Sequence, residues 1–115
     1  MKGKESDMVK FLFEMNSLKY FRRSGWHLLG IKESESIAEH SFGVILIGYL
    51  LAKMENADVN KVIKMCIFHD MHEVRVGDIN KVARRYIKAD KEKITNEQIE
   101  LLPEEMREEL KPLIK

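Results

Sequence analysis

Three side chains of this sequence could bind a divalent metal ion, namely His40 and the adjacent pair His69 and Asp70. Neutral imidazole and carboxylate groups are good ligands for zinc, manganese, cobalt and iron ions. His69 and Asp70 directly follow an apolar helical stripe, where a charged pair is costly unless it is paired or binds a metal. Neighbouring helical residues point about 100° apart, so an ion bound by both His69 and Asp70 would lie between the two side chains. Such an ion would need a further ligand. His40, on the inward stripe of an earlier helix, could supply it.

A purely structural explanation of the same residues is equally open at this point. The chain has 4 histidines in 115 residues, so an adjacent His–Asp pair can arise without any metal. A single inward-facing histidine such as His40 is also more often a hydrogen-bonded core residue than a ligand. The residue types and their spacing therefore favour neither a metal site nor a structural pair.

The elements that would position these residues are helical. No stretch alternates between apolar and polar residues with a period of two, so we predict an all-α fold. Ser36 and Glu39 form a capping box, which marks the start of the helix that carries His40. The predicted inward stripe of that helix comprises Ile37, His40, Ser41, Val44, Ile47, Gly48 and Leu51.

Two further helices are predicted on either side of this one. The first covers residues 7–21, with Asp7 as its N-cap. Its predicted buried face comprises Val9, Leu12, Phe13, Met15 and Leu18. Residues 22–35 show no sustained period and contain two glycines, which predicts a loop. The third helix starts after Asp58, and its apolar stripe comprises Val59, Val62, Ile63, Cys66 and Ile67.

Shorter segments are predicted in the last third of the chain. A helix over residues 79–88 would direct four side chains inward, namely Ile79, Val82, Ala83 and Tyr86. Its opposite face carries Lys81, Arg84, Arg85 and Lys88, which we interpret first as a solvated face and second as a phosphate-steering surface. Residues 95–98 read as a second capping box. Pro103 fits the first turn of a last segment, whose apolar residues are Met106, Leu110 and Leu113, and Pro112 should disrupt its end.

Three ordered sequence blocks carry a family resemblance. They are RSGW at residues 23–26, SIAEHS at residues 36–41 and FHDMHEVRVGD at residues 68–78. Together they resemble the 5′-deoxynucleotidase branch of the HD superfamily of metal-dependent phosphohydrolases, whose motifs read roughly R-[ST]-G-W, S-[VI]-[AS]-[ED]-H and H-D-x-x-E-x-x-x-G-D. The resemblance covers about residues 18–86, and it implies that residues 1–115 form a single HD-domain helical bundle.

This resemblance also implies a metal centre. It makes His40, His69 and Asp70 the metal ligands, for a divalent manganese, cobalt, magnesium or zinc ion. Glu73 matches the catalytic acid thought to position or activate the attacking water. A plain solvated carboxylate is the alternative for Glu73, since glutamates are mostly exposed. His72 we interpret as a surface residue.

Substrate-binding roles follow from the same resemblance. Arg23 would contact the phosphate, Trp26 would lie against the sugar, and Asp78, counted also among the catalytic residues, would face the sugar. Each has an alternative that the sequence leaves open. Arg23 could be an exposed loop charge with Arg22 in its role, Trp26 could anchor the core, and Asp78 could cap a helix starting at residue 79.

One departure from the family pattern concerns a last metal-binding aspartate, which the family places on a later helix. Asp90 is the only aspartate after Asp78, and its Lys-rich surroundings do not resemble that site. Family members are also longer. We therefore expect this chain to be truncated, to lack its C-terminal helices and one ligand, and to have uncertain activity by itself.

Net charge, hydropathy and cysteine content indicate which partners and which cell compartment to expect. The formal net charge of +1 provides no field that would attract DNA, RNA or an anionic membrane. The longest mainly apolar stretch, residues 42–52, is about half of what a membrane span needs. The single cysteine, Cys66, excludes an intramolecular disulfide. We expect a cytoplasmic protein.

The resemblance leads to the functional hypothesis that this is a metal-dependent phosphomonoesterase. Its substrates would be nucleoside 5′-monophosphates, preferably deoxynucleotides, and its apolar first and last helices would form a homodimer. The alternatives are an HD hydrolase of another nucleotide phosphate, a non-catalytic metal- or nucleotide-binding module, and a purely structural helical domain.

Overall fold

The computed structural model describes residues 5–114, with the exception of the His27 side chain. Its α-helices are α1 (Glu5–Asn16), α2 (Ile37–Met54), α3 (Val59–Phe68), α4 (Glu73–Val76), α5 (Lys91–Ile99) and α6 (Glu104–Leu110). Short 3₁₀ helices lie at Ser17–Tyr20, Ser24–Leu29, Ala83–Arg85 and Lys111–Leu113. Residues 5–114 contain no β-strand, only an isolated bridge between Arg22 and Ser36. The all-α prediction is confirmed.

The hydrophobic core lies where α1, α5 and α6 meet the turn that follows α3. Its buried side chains are Phe11, Met71, Ile99, Leu102, Leu110 and Ile114. A fully buried side chain of this size contributes about 1.5–3 kcal/mol to folding. Met71 belongs to this core although it is flanked by the polar residues Asp70 and His72, so the core fixes the polar turn directly.

The helix that carries His40 begins where the capping box predicts. The Ser36 side chain accepts a hydrogen bond from the Glu39 amide, and the Glu39 side chain accepts one from the Ser36 amide. Asp58 caps α3 as predicted, by accepting a hydrogen bond from the Lys61 amide. The two helices then approach closely at Gly48, where an added Cβ would lie only 2.7 Å from the Cys66 sulfur.

The predicted buried face of α1 is correct at Met15 but wrong at Val9, Leu12 and Phe13. Val9, Leu12 and Phe13 are 49%, 64% and 73% exposed, whereas Phe11 is buried and Met15 packs against the core. Phe11 and Met15 are four residues apart and therefore share a face. That face meets α5 and α6, while the larger apolar group lies on the other side of the helix. Asp7 lies inside the first turn of α1 and does not cap it.

The apolar stripes of α2 and α3 are also less buried than predicted. Ile37 is fully buried, but Ile47 and Leu51 of α2 and Ile67 of α3 are 60%, 52% and 43% exposed. The reason is that α2 is apolar around most of its circumference, and its main described contacts are with α3 and residues 17–20. Most of its apolar surface therefore has no described element packed on it.

Residues 79–88 do not form the predicted helix. Helix α4 ends at Val76, the following Gly77 adopts φ +77°, and only Ala83–Arg85 form a single 3₁₀ turn. Side chains take up backbone groups in this segment, because Asn80 accepts from the Ala83 amide and Arg84 donates to the Ile79 carbonyl. Such local bonds compete with helix formation. Val82 and Tyr86, predicted to face inward, are exposed.

The second capping box is wrong as well. Helix α5 starts earlier, because Asp90 accepts a hydrogen bond from the Lys93 amide and forms its N-cap. Thr95 lies within the helix and donates to the carbonyl oxygens of Lys91 and Glu92. The last segment agrees better with expectation, since α6 follows Pro103 and gives way to a 3₁₀ turn containing Pro112.

Helix α2 has a length and composition that would allow it to cross a membrane, and 11% of it is buried in the described structure. The predicted absence of a membrane span relied on the shorter stretch of residues 42–52. Helix length and hydropathy are weak indications here, because core helices of soluble proteins meet the same criteria. The His40 side chain at the start of α2 belongs to the polar site described next.

Candidate metal and phosphate site

The polar turn between α3 and α4 forms the centre of the site. Helix α3 ends at Phe68, and α4 begins at Glu73. Met71 is buried in the core, which draws its neighbours inward, so that Asp70 and Glu73 are only 7% and 5% exposed. Two carboxyl groups are thus held three residues apart in a largely dry environment.

His40 and His69 both approach the Asp70 carboxylate. The distance from Nε2 of His40 to Oδ2 of Asp70 is 3.7 Å, and that from Nδ1 of His69 to Oδ1 of Asp70 is 2.9 Å. Burial tends to raise the pKa of Asp70, but the hydrogen bond from His69 and the nearby histidines outweigh it and lower the pKa. Asp70 is therefore an ionised carboxylate between two imidazoles.

The second ring nitrogen of His40 contacts another carboxylate. Its Nδ1 lies 3.2 Å from Oε1 of Glu35, and the same oxygen lies 3.8 Å from Nε of Arg23. A carboxylate on the far nitrogen of a histidine orients the ring and raises the basicity of the other nitrogen, as in many metal sites. Glu35 therefore directs Nε2 of His40 towards Asp70.

These donors suit a divalent ion in their chemistry, since imidazole and ionised carboxylate groups are good ligands for such ions. His40 and His69 each contact Asp70 directly. Within residues 5–114, no group of three or more His, Cys, Asp or Glu side chains has an arrangement that could hold a metal ion as it stands. The Asp90 side chain forms the N-cap of α5 by accepting a hydrogen bond from the Lys93 amide.

Glu73 is the most perturbed acid of the site. Burial, followed by the charge of Asp70 and a side-chain hydrogen bond with Asp78, raises the pKa of Glu73 to about 8. Glu73 is therefore largely protonated at neutral pH, whereas neighbouring Asp70 is ionised. The interpretation of Glu73 as a solvated surface acid is contradicted by its burial. Two adjacent carboxyl groups with pKa values pushed apart can play different chemical roles.

The loop at residues 23–26 meets the end of the third sequence block at Asp78. The Ser24 amide donates a 2.8 Å hydrogen bond to Oδ2 of Asp78, and the Ser24 hydroxyl donates to the Asp78 carbonyl oxygen. Nη1 of Arg23 lies 3.9 Å from the same Oδ2. Asp78 caps no helix at residue 79, since none forms there, and its side chain is instead held beside Arg23.

Arg22 and Arg23 have different surroundings. Nη1 of Arg22 donates to the Ser34 carbonyl at 3.2 Å and to Oε1 of Glu39 at 3.4 Å, so Arg22 faces the start of α2. Arg23 lies between Glu35 and Asp78, with its side chain 31% exposed. Of the two arginines, Arg23 is the one next to the carboxyl cluster, which comprises Asp70, Glu73 and Asp78.

Two cavities open beside these residues. The first, of about 640 Å³, is lined by the turn residues His69, Asp70, His72 and Glu73 and by the later residues Val76, Gly77, Ile79, Arg84, Ile87, Lys88, Ala89 and Lys91. The second, of about 490 Å³, is lined by Arg23, Gly25, Leu28, Leu29, Asp78, Ile79, Asn80, Lys81 and Arg84. Both volumes fall within the range of small-ligand pockets.

Trp26 lies at the edge of this region, not in the core. It is 41% exposed and lines a shallow hollow of about 250 Å³ with Arg23, Gly25 and Leu29. The alternative of a core anchor is therefore wrong. Of the basic residues predicted on one helix face, Arg84 lines both larger cavities, Lys81 the second and Lys88 the first, so the solvated-face interpretation is incomplete.

Sequence reasoning missed three residues that contact the site. Ser24 was only part of a motif, yet it binds Asp78 at two points. Glu35 lies directly before the capping box and contacts His40. His72 is half-buried instead of exposed, and burial lowers its pKa, with the positive charge of Lys91 adding to the effect. A serine in the first block and a histidine two residues after Asp70 were the available signals.

The chain is similar to several known proteins. The family model described as HD domain matches residues 15–115. A 5′-deoxynucleotidase of Bos taurus is 28% identical over 107 residues, covering 90% of this chain and 52% of the relative. A 5′-deoxynucleotidase of Erwinia tasmaniensis is 32% identical over 119 residues, covering 90% of this chain and 58% of the relative.

A solved structure of a Pyrococcus horikoshii protein has the same fold, with a TM-score of 0.72 and 34% identity, covering 91% of this chain and 60% of that one. The chain thus spans little more than half the length of the curated relatives described above. The family match extends over nearly the whole chain and includes all three sequence blocks that meet at the carboxyl cluster. This chain belongs to the HD-domain family.

Proposed function

We propose that this protein is a metal-dependent phosphohydrolase that releases phosphate from nucleoside 5′-monophosphates, with deoxynucleotides preferred. The observation that carries the proposal is the meeting of Arg23, Asp78, Glu73 and the His40–Asp70–His69 group in one region lined by cavities. An arginine beside a cluster of ionisable acids and imidazoles suits the binding and hydrolysis of a phosphate ester.

The substrate class is supported by the family branch and by the first loop. Two relatives that the chain matches over 90% of its length bear the name 5′-deoxynucleotidase. Arg23 offers one guanidinium to the phosphate, and guanidinium groups bind phosphate through paired hydrogen bonds. Trp26 lies exposed beside Arg23 and would provide an apolar wall for the sugar, while Asp78 would accept a hydrogen bond from a sugar hydroxyl.

In the proposed reaction, a water oxygen bonds to phosphorus while the bond from phosphorus to the 5′-oxygen breaks, and the 5′-oxygen ends protonated. A divalent ion held by His40, His69 and Asp70 would supply positive charge that polarises the phosphoryl group and makes water more acidic. Glu73 would orient the attacking water from its position one turn beyond Asp70. Arg23 would offset the charge that develops on the phosphate oxygens.

A non-catalytic role in binding a metal ion or nucleotide is the second candidate. It is favoured by the context of Asp90, the only aspartate after Asp78, which caps α5 in a Lys-rich stretch that does not resemble the family's last metal-binding aspartate. Under that alternative, the chain would bind nucleotide and metal without turnover. A phosphate-release assay distinguishes the two roles, because only the hydrolase releases phosphate.

We also propose a homodimer that uses α1. Val9, Leu12, Phe13 and Asn16 line a shallow groove of about 400 Å³ on the side of α1 that faces away from the core. Exposed apolar side chains that form one patch are typical of protein–protein contacts. On the last helix, Met106 is 42% exposed and could extend such a surface.

A substrate panel tests the proposed function. Phosphate release is measured from ribo- and deoxyribonucleoside 5′-monophosphates, a nucleoside triphosphate and guanosine tetraphosphate, with manganese, cobalt, magnesium or zinc added. We expect release from the monophosphates, with higher kcat/KM for the deoxy form. Preferential hydrolysis of the triphosphate or tetraphosphate would instead support another HD hydrolase. Binding without release from any substrate would support the non-catalytic role.

A further inference from the structure

Gln98 is a buried amide that contacts the backbone of the site. It lies on α5 and is 0% exposed. Its Nε2 donates to the Met71 carbonyl oxygen at 3.0 Å and to Oε2 of Glu14 at 3.1 Å. Both partners are acceptors, so only the amide nitrogen, which has two hydrogens, can satisfy them together. Gln98 therefore links α1 and α5 to the turn that follows α3.

The Met71 carbonyl lies in that turn between Asp70 and Glu73, the two buried carboxyl residues of the site. The same oxygen accepts a hydrogen bond from the Val74 amide at 3.3 Å, and the Asp70 carbonyl accepts one from the Glu73 amide at 3.0 Å. The Met71 side chain is 1% exposed within the core. The core thus fixes the side chain of Met71, and Gln98 fixes its carbonyl.

Glu14 and Arg75 hold the Gln98 amide in place. Arg75, on α4, donates to both carboxylate oxygens of Glu14, with Nη2 3.0 Å from Oε1. Burial tends to raise the pKa of Glu14, but hydrogen bonds from Arg75 and Gln98 outweigh it, and the pKa lies below its ordinary value. The ionised carboxylate therefore binds α4 on one side and Gln98 on the other.

We propose that Gln98 is a positioning residue of the site, which sets the placement of Asp70 relative to Glu73 by holding the Met71 carbonyl. This inference rests on the proposed function. Gln98 touches neither the metal ligands nor the expected substrate, and it acts through one peptide group. A residue of similar volume without a donor would keep the core filled but would free the carbonyl between Asp70 and Glu73.

Gln98→Met and Gln98→Asn test this role in the 115-residue chain. Methionine fills a similar volume without hydrogen-bond donors, and asparagine keeps the amide but is one methylene too short to reach both acceptors. Ile99→Val, also fully buried and adjacent on α5, is the matched control for loss of core packing alone. For each protein, the Kd for Mn²⁺ is measured by calorimetry, together with thermal unfolding and, where phosphate is released, kcat and KM.

We expect Mn²⁺ Kd to rise about tenfold in both Gln98 variants, as is usual when groups that orient metal ligands are removed. We expect the decrease in rate to appear in kcat, with KM nearly unchanged, since the phosphate-binding loop is untouched. Ile99→Val should lower Tm without changing the Kd. If both Gln98 variants are folded and bind Mn²⁺ like the unsubstituted chain, the inference is overturned while the proposed function stands. If the unsubstituted chain itself binds no Mn²⁺, the proposed function and the inference fail together.

Discussion

Ser24 holds Asp78 at two points, through its amide on the carboxylate oxygen at 2.8 Å and through its hydroxyl on the backbone carbonyl. These residues are 54 positions apart in the sequence. Their contact joins the loop that carries Arg23 and Trp26 to the segment that carries Glu73. This contact keeps Arg23, the residue expected to bind the phosphate, beside the carboxyl cluster.

Loss of the Ser24 hydroxyl should impair catalysis more than folding. In Ser24→Ala, the amide bond to Asp78 remains and the bond to its carbonyl is lost, so the loop would shift relative to Glu73. We expect kcat/KM for phosphate release to fall about tenfold, which corresponds to roughly 1.4 kcal/mol. Ser17→Ala removes a comparable hydroxyl bond, to the Phe13 carbonyl, that involves no residue assigned to the site, and it should leave kcat/KM unchanged. Equal effects of the two variants would refute a specific role for Ser24.

The two neighbouring arginines should differ sharply when each is replaced. Arg23→Ala should lower kcat/KM by about 100-fold, because preorganised donors to a developing charge have effects of this size. Arg22 contacts Glu39 and the Ser34 carbonyl at the start of α2, so Arg22→Ala should change kcat/KM less than threefold. Steady-state kinetics of both variants measures the two changes in kcat/KM. A larger effect of Arg22→Ala than of Arg23→Ala would contradict the proposal that Arg23 contacts the phosphate.

Glu73→Gln should abolish most activity without destabilising the chain. The pKa of Glu73 is raised to about 8, so the buried group is largely neutral at pH 7 and a neutral amide of similar shape can replace it. Loss of an acid–base group lowers rates by about 10²–10⁴-fold. We expect a fall of that size in kcat, with a Tm equal to or above that of the unsubstituted chain. A large decrease in Tm would mean that Glu73 is primarily structural.

The Glu14–Arg75 pair should make stability depend on pH in the acidic range. The folded pKa of Glu14 lies below the value of 4.5 expected for a free glutamate. Between these two pKa values the unfolded chain binds more protons, so the stabilisation is present above about pH 4.5 and is lost as pH falls through the folded pKa. Thermal unfolding between pH 3 and 6 should therefore show a smaller dependence on pH in Glu14→Gln. Parallel profiles for the two proteins would contradict this explanation.

A charge on the exposed face of α1 tests the proposed dimer. Phe13 is 73% exposed in the groove with Leu12, so Phe13→Glu should shift a dimer towards monomer in light scattering coupled to size exclusion. Tyr86→Glu places the same charge on a residue that is 82% exposed elsewhere and is the control. A monomer for the unsubstituted chain at tens of micromolar would rule out this assembly.

The sequence predicts helix starts well where a local hydrogen bond defines them. Ser36, Glu39 and Asp58 cap α2 and α3 where expected, because a cap depends only on residues within one turn. Burial depends on partners that are distant in sequence, and this explains why Val9, Leu12 and Phe13 were assigned to the wrong side of α1. The helix predicted after Gly77 does not form for a related reason, since the side chains of Asn80 and Arg84 bind backbone groups there.

The three motif blocks predicted which residues lie together at the site, but they did not predict the contacts that position those residues. Asp70, Glu73 and Asp78 lie within a nine-residue segment, and Arg23 and His40 reach it from two other elements. The supporting contacts of Ser24, Glu35 and Gln98 connect residues that share no local pattern. Gln98 contacts Glu14 across 84 positions, a relationship that no period or motif in the sequence could indicate.

The most direct test of the central claim is metal-dependent phosphate release by the unsubstituted chain, Asp70→Ala and Asp58→Ala, each assayed with deoxynucleoside 5′-monophosphate and Mn²⁺ or excess chelator. Asp58 caps α3 at the end remote from the site, and its loss should cost about 1 kcal/mol of stability without affecting chemistry. We predict release by the unsubstituted chain and by Asp58→Ala that chelator abolishes, and no release by Asp70→Ala. Equal release by folded Asp70→Ala would contradict the assignment of this site as the phosphohydrolase centre.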